Sequence, residues 1–146
     1  MSRRSAASST AATADRFRKT RAAHSDETAE DYVEAVQQLI ETQGEARIGD
    51  LAKLMGVSHV TVTRIISRLQ EAGLVLQEPY RPVTLTPKGA RLARASHERH
   101  EVVLRFLCAI GVPRKQAEID TEGIEHHVSV QTIKAMRRVL REKENE

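Results

Sequence analysis

Two carboxylates and an imidazole lie within about one turn of a predicted helix, in the segment Glu122-Gly-Ile-Glu125-His126-His127. At about 100° per residue, the side chains of Glu122, Glu125 and His126 fall within a roughly 100° arc of that helix. Oxygen and nitrogen ligands that converge from one face make up much of a coordination shell for a divalent cation. The segment therefore predicts a metal site, with a solvated acidic helix face as the alternative interpretation.

A second acidic pair, Asp31 and Glu34, lies at i,i+3 spacing on the first predicted amphipathic helix. His100 sits beside the apolar stripe of a later helix, so its ring can reach inwards. Clustered carboxylates repel one another unless a cation neutralises them, which favours a site shared by both segments. Gly123 costs about 1 kcal/mol relative to Ala inside a helix, which we interpret as a sign of close approach to the backbone.

The segment between these groups has the order of a winged helix-turn-helix domain. A short helix over 48–55 ends at Gly56, and a second helix follows Ser58, which is a favourable N-cap residue. Two β-type runs, 74–78 and 83–86, flank a turn bracketed by prolines and predict a hairpin wing. This order predicts a DNA-binding domain, while an ordinary amphipathic helix pair is the alternative.

The second helix and the wing tip supply the candidate DNA contacts. We expect Arg64 to contact a guanine with two hydrogen bonds and Arg68 to contact phosphate. Tyr80 and Arg81 at the wing tip are expected to contact the DNA backbone or the minor groove. The candidate DNA-binding residues are Ser58, His59, Thr61, Thr63, Arg64, Arg68, Tyr80 and Arg81.

The predicted fold class is mainly α, with an N-terminal winged helix-turn-helix domain and a C-terminal α-helical dimerisation domain. We predict a disordered basic arm over 1–24, the DNA-binding domain over 25–87, and a metal-binding and dimerisation domain over 88–146. Residues 47–91 contain seven basic and three acidic residues, which suits a polyanion such as DNA. The last three helices are too short for a large core, so we expect a homodimer.

Other function classes find little support in the sequence. No apolar run approaches the roughly 18 residues that span a bilayer, and the N-terminus is polar, so we expect a cytoplasmic protein without a membrane partner. Cys108 alone cannot form an intramolecular disulfide. His97 and His100 are spaced i,i+3 rather than the i,i+4 of a zinc hydrolase, and there is no Gly-rich phosphate loop. We therefore expect neither an enzyme nor a small-molecule substrate.

Several blocks resemble the manganese-responsive branch of the diphtheria toxin repressor family, which consists of metal-dependent transcriptional regulators. The resemblance covers about residues 26–141. The blocks are Asp31-Tyr-Val-Glu34, Gly44-Glu-Ala-Arg47-Ile, His100-Glu-Val-Val, Phe106-Leu and Glu122-Gly-Ile-Glu-His-His-Val-Ser129. The resemblance implies a homodimer that binds an operator in double-stranded DNA when metal binds between its two domains. The implied metal ligands are Asp31, Glu34, His100, Glu122, Glu125 and His126, whereas His97 matches no ligand of this branch.

The resemblance also implies Mn²⁺ as corepressor for manganese-uptake genes, with up to two ions per subunit. Iron-responsive relatives place a Cys at the position of Glu122 and a Met at that of Asp31, whereas hard oxygen ligands suit Mn²⁺. Binding of Fe²⁺ or Zn²⁺ stays open. The alternatives are an iron-responsive regulator of the same architecture and a metal-independent winged-helix DNA-binding protein.

Overall fold

The computed structural model describes residues 3–146, with side chains described at residues 10–21 and 24–146. The mainly α fold with a helix-turn-helix and a wing is confirmed. Its elements are α1 (Arg3–Gln43), α2 (Ile48–Met55), α3 (His59–Glu71), β1 (Val75–Leu76), β2 (Thr84–Leu85), α4 (Pro87–Ala109), α5 (Arg114–Ile124) and α6 (Val130–Glu144).

The core of the DNA-binding domain lies between the second half of α1 and the elements that follow it. The amphipathic stripe of α1 packs against α2, β2 and α4, and it shares one buried core with side chains of α3, so this burial stabilises the whole domain. The side chain of Ser58 caps α3 by accepting a hydrogen bond from the backbone N–H of Thr61 at 3.2 Å. The main buried side chains are Tyr32, Val33, Val36, Leu39, Leu51, Val62, Ile66, Leu69, Val75 and Val83.

The wing is an antiparallel hairpin with shorter strands than the sequence predicts. Val75 pairs with Leu85 and Leu76 with Thr84, and there the regular ladder ends. Pro79 and Pro82 lie in the connecting loop and have no backbone N–H to donate, which limits the pairing. The Val83 N–H instead donates to the Ala46 carbonyl at 2.7 Å and ties the wing to the loop after α1.

The N-terminal segment differs from the predicted disordered arm. It forms the first half of α1, which begins at Arg3 and runs through the rest of the predicted arm, while Met1 and Ser2 lie outside the described residues. The physical reason is local, since the segment is rich in Ala, the best helix former, and has neither Gly nor Pro before Gly44. The described side chains of residues 10–21 are all exposed.

Helices α4, α5 and α6 form a second, smaller core. It is built from Val102 and Val103 of α4 with Ile133 and Leu140 of α6. Large apolar side chains on the same helices stay exposed in the single chain, among them Ile110, Ile119 and Val130. A small core with uncovered apolar residues is typical of a subunit that associates with a second copy. No helix in the described part of the chain is long and apolar enough to cross a membrane.

Gly89, in the first turn of α4, lies against β1 without room for a side chain. A Cβ atom there would lie 2.9 Å from the carbonyl carbon of Leu74 and closer still to its oxygen. We expect Gly89→Ala to lower the free energy of unfolding by about 2–4 kcal/mol because backbone would have to move. Thermal unfolding in chelator measures this, with Gly123→Ala as control.

The control has the opposite expected sign. A Cβ atom at Gly123 meets no described atom within 4 Å, and Ala is favoured over Gly in a helix by about 1 kcal/mol. Gly123→Ala should therefore leave stability unchanged or raise it. Equal destabilisation by both substitutions would show that the contact with Leu74 is not the cause.

Candidate functional site

Three parts of the chain meet at one cluster of carboxylates and imidazoles. The second half of α1 contributes acidic residues, α4 contributes a histidine, and the end of α5 with the turn after it contributes the rest. The six predicted metal ligands Asp31, Glu34, His100, Glu122, Glu125 and His126 all lie in or beside this cluster. Helix α5 ends at Ile124, so Glu125 and His126 lie in the turn that follows rather than within the helix.

His126 lies at the centre, with a side chain that is only 1% exposed. Its Nε2 atom is 3.0 Å from Oδ1 of Asp31 and 3.2 Å from Oε1 of Glu125. Its Nδ1 atom lies 2.5 Å from Oε2 of Glu30. One ring therefore joins a carboxylate from the metal-binding domain to two carboxylates from α1.

His100 approaches the cluster from α4. Its Nδ1 atom is 2.5 Å from Oε2 of Glu125 and 3.9 Å from Oε1 of Glu122. Glu125 is fully buried between the two histidines, whereas the side chain of Glu122 is 68% exposed. Glu34 lies next to α4, where its carboxylate accepts a hydrogen bond from the Ser96 hydroxyl.

Burial raises the pKa values of two carboxyl groups in the cluster, those of Glu125 and Asp31. Desolvation raises the pKa of Glu125 from 4.5 to about 7, although His100 and His126 oppose the shift. Desolvation also raises the pKa of Asp31 from 3.8 to about 6; His126 opposes this, while Glu27, Glu34 and Glu122 add repulsion. The cluster thus holds more negative charge than its surroundings can stabilise.

The donor set fits a divalent cation. Desolvation lowers the pKa of His126, but its hydrogen bond to Glu30 and the nearby carboxylates outweigh this effect and raise the pKa above its usual value. Ligand atoms of Glu27, Asp31 and His126 lie within 4.8 Å of one another. Hard carboxylate oxygens with imidazole nitrogen are a ligand set that suits Mn²⁺ and still admits Fe²⁺ and Zn²⁺.

The sequence interpretation missed four residues of this site. Glu30 contacts His126, Glu27 lies 3.3 Å from Nε2 of His127, Ser96 donates to Glu34, and Arg99 donates to Glu30. An available signal was the spacing of Glu27 and Glu30, which lie four residues before Asp31 and Glu34 on the same helix. Ser96 and Arg99 gave no such signal.

Gly123 and His97 lie on the two helices that contribute His100 and Glu122 to the site. The close approach that we expected at Gly123 is absent, because no described atom lies within 4 Å of its Cβ position. That expectation was wrong for the single chain. His97 lines an exposed cleft between α1 and α4 together with Glu34, Gln37 and Glu41, on the side of Glu34 that faces away along the two helices.

The raised pKa of Glu125 predicts that Glu125→Gln stabilises the metal-free protein. The folded state keeps a proton between pH 4.5 and about 7 that the unfolded chain releases, so stability falls as the pH rises through this range. At about pH 8 in chelator we expect the variant to be more stable, by on the order of 1 kcal/mol. Unfolding at about pH 5 is the control, where the gain should shrink. A loss of stability at both pH values would contradict this electrostatic account.

Most of the predicted DNA-binding residues on α3 are exposed. His59, Thr63, Arg64 and Arg68 are exposed on α3, while Thr61 is half-buried beneath them. Ser58 is exposed but engaged as the N-cap of α3. A recognition helix needs such a free polar face to reach base edges in the major groove.

The wing tip carries the other predicted contacts. Tyr80 is 98% exposed and has φ of 62°, a left-handed conformation that non-glycine residues seldom adopt. Arg81 is exposed and lies 3.5 Å from Glu78. One candidate was missed, since Val60 on α3 is 78% exposed, and an apolar side chain there can contact a thymine methyl group.

Comparison with known proteins agrees with this arrangement. Residues 25–83 match the family model for the iron dependent repressor, N-terminal DNA binding domain. Residues 86–145 match the model for the iron dependent repressor, metal binding and dimerisation domain. The two matches meet at the start of α4.

Individual relatives are also similar. The transcriptional regulator MntR of Escherichia coli O6:H1 is 46% identical over 121 residues, which cover 83% of this chain and 78% of that protein. The HTH-type transcriptional regulator MntR of Lysinibacillus sphaericus is 40% identical over 104 residues, which cover 71% of this chain and 75% of that protein.

A solved structure described as a manganese-dependent transcriptional repressor complex with manganese is 32% identical, with a TM-score of 0.69. The match covers 77% of this chain but only 52% of that one, so this chain spans about half of its length. Two family models that match most of the chain, and relatives of this identity, lead to one conclusion. The chain belongs to the iron dependent repressor family and, within it, is similar to the regulators named MntR.

Proposed function

We propose that the chain is a homodimeric, manganese-responsive transcriptional repressor that acts on operator DNA in the cytoplasm and has no catalytic activity. The main support for this proposal is the contact between the two domains at His126, which we call the joint. There, α1 of the DNA-binding domain meets α4 and the end of α5 through facing carboxylates and imidazoles. A site at this joint can transmit the presence of a cation to the DNA-binding surface.

Six side chains would hold the metal: Asp31, Glu34, His100, Glu122, Glu125 and His126. Bound Mn²⁺ supplies positive charge, which offsets the repulsion among the four carboxylates. Asp31 and Glu34 then fix α1, and with it the helix-turn-helix, against the helical scaffold. His100, Glu125 and His126 hold the opposite side of the joint. In the metal-free protein this contact still forms, but repulsion among the four carboxylates makes it less stable than it is with metal bound.

The joint matters for DNA binding because the two recognition helices of a dimer must enter successive major grooves, about 34–36 Å apart. If α1 moves on the scaffold, the separation of the two recognition helices varies. Binding to DNA then has to offset the conformational entropy that is lost when this separation becomes fixed. The exposed apolar residues of the C-terminal helices, among them Ile119 and Val130, support the dimer that this model of regulation requires. Control of manganese-uptake genes is the function that the resemblance implies.

Operator binding with and without metal tests the proposal. A duplex is first selected by the Mn²⁺-loaded protein from a random-sequence library, and its binding is then followed by fluorescence anisotropy at fixed salt. We expect affinity in Mn²⁺ to be about 100-fold higher than in chelator, with a scrambled duplex as control. Equal affinity in chelator would favour a metal-independent winged-helix protein, and a stronger response to anaerobic Fe²⁺ would favour an iron-responsive regulator.

A further inference from the structure

Glu30 is a buried carboxylate that lies beside the proposed metal site. It is not one of the six proposed ligands. It lies on α1, one residue before Asp31, and is only 8% exposed. A buried carboxylate is costly unless it is paired and hydrogen-bonded. The partners of Glu30 therefore indicate what keeps it in this position.

Glu30 has two partners, on two different elements. Its Oε1 atom accepts a hydrogen bond from Nη2 of Arg99 on α4. Its Oε2 atom lies 2.5 Å from Nδ1 of His126, in the turn after α5. A single side chain of the DNA-binding domain thus contacts both elements of the metal-binding domain that supply histidines.

These contacts determine which nitrogen of His126 can bind a metal. A carboxylate paired with an arginine can only accept hydrogen bonds, so the nitrogen that faces it must carry a proton. Nδ1 of His126 is therefore the donor, and Nε2 remains for the side where Asp31 and Glu125 lie at 3.0 and 3.2 Å. Histidine ligands of metals commonly donate their second N–H to a carboxylate, which fixes the tautomer and the ring orientation.

We infer that Glu30, held by Arg99, is a positioning residue that orients His126 so that Nε2 faces the metal site. The inference rests on the proposed function, because it assumes that His126 binds the cation through Nε2. Glu30 lies on α1 while Arg99 and His126 lie on the scaffold. The same contacts therefore align the two domains before metal arrives, which favours metal binding.

Mn²⁺ affinity in the absence of DNA is the first test, measured from the electron paramagnetic resonance signal of free Mn²⁺. Glu30→Gln keeps the shape of the side chain but removes the charge that binds Arg99. We expect it to weaken Mn²⁺ binding about 10–100-fold, the usual cost of losing such a partner. Glu41→Gln is the matched control on the same helix, since Glu41 is exposed and accepts a hydrogen bond from the Gln37 amide at 2.8 Å. It should bind Mn²⁺ as the original chain does.

Operator affinity separates positioning from a purely structural role. In Glu30→Gln, the Mn²⁺ concentration needed for operator binding should rise, while operator affinity at saturating Mn²⁺ should match that of the original chain. Unchanged Mn²⁺ affinity in the variant, or a loss of operator affinity that saturating Mn²⁺ does not restore, overturns the inference. If the unsubstituted chain itself fails to bind Mn²⁺, the proposed function fails and the inference fails with it.

A second measurement needs no variant and serves if Glu30→Gln does not fold. In the ¹⁵N-labelled metal-free protein, the Nδ1 proton of His126 should exchange slowly with water, because Glu30 accepts it in a buried site. His59, which is exposed on α3, is the internal reference and should exchange rapidly. Rapid exchange at Nδ1 of His126 would show that Glu30 does not hold the ring.

Discussion

Glu122→Ala is expected to abolish Mn²⁺-induced operator binding while the dimer stays folded. The substitution removes one carboxylate oxygen donor from the proposed site. The side chain of Glu122 is 68% exposed and lies 3.9 Å from Nδ1 of His100, so its removal leaves the core undisturbed. At a fixed Mn²⁺ concentration we expect operator affinity to fall about 100-fold, to the level measured in chelator.

A matched variant controls for a general effect on α5. Glu118 lies one turn before Glu122, is also exposed, and pairs with Arg114 on the surface at 3.0 Å. Glu118→Ala should therefore leave both the metal response and the dimer unchanged. If Glu122→Ala bound the operator with the original dependence on Mn²⁺, Glu122 would not be a ligand and the proposed set would need revision.

Arg64→Ala is expected to weaken binding to the selected operator without changing Mn²⁺ affinity. Arg64 is exposed near the middle of α3, where a guanidinium can donate two hydrogen bonds to a guanine. Loss of such a contact costs about 1–3 kcal/mol and relaxes specificity at that base pair. The measurement is anisotropy with the selected duplex and with duplexes substituted at single positions, each in saturating Mn²⁺.

Arg68→Ala is the matched comparison, one turn further along α3. If Arg68 contacts phosphate, its loss should weaken binding to all duplexes to a similar degree and lower the salt dependence of binding by about one ion. If Arg64→Ala also weakened the selected and the scrambled duplex equally, Arg64 would contact the DNA backbone. The assignment of base recognition to it would then be wrong.

The sequence was sufficient to predict the DNA-binding domain because its signals are local. Ser58 caps α3, Gly56 adopts the left-handed conformation at the end of α2, and the prolines bracket the wing loop. Each of these effects depends on neighbouring residues alone. The apolar stripe of α1 has the same local character, which explains why its buried face was predicted well.

The N-terminal part of α1 was not predicted, since polar, low-complexity composition was given more weight than helix propensity. Its Ala content and the absence of Gly and Pro favour a helix even though the described side chains of residues 10–21 bury nothing. A polar composition that is typical of disorder and a high helix propensity therefore conflicted in this segment.

The residues around the site were harder to predict for a different reason. Glu30 and Arg99 are 69 residues apart in sequence, and Glu30 and His126 are 96 apart. No periodicity links such positions, and an Arg on a predominantly charged helix face is usually solvated. The six proposed ligands were predicted from their residue types and spacing together with the resemblance to the manganese-responsive branch, whereas a supporting ion pair carries no comparable pattern.

We propose that one conformational change links the metal site to the operator-binding surface. Linkage requires that the factor by which Mn²⁺ raises operator affinity equals the factor by which the operator raises Mn²⁺ affinity. The decisive measurement is therefore the Mn²⁺ affinity of the dimer alone and of the dimer saturated with the selected duplex. We predict that Mn²⁺ binds the complex more tightly by about 100-fold, whereas equal Mn²⁺ affinity in both states would contradict the account.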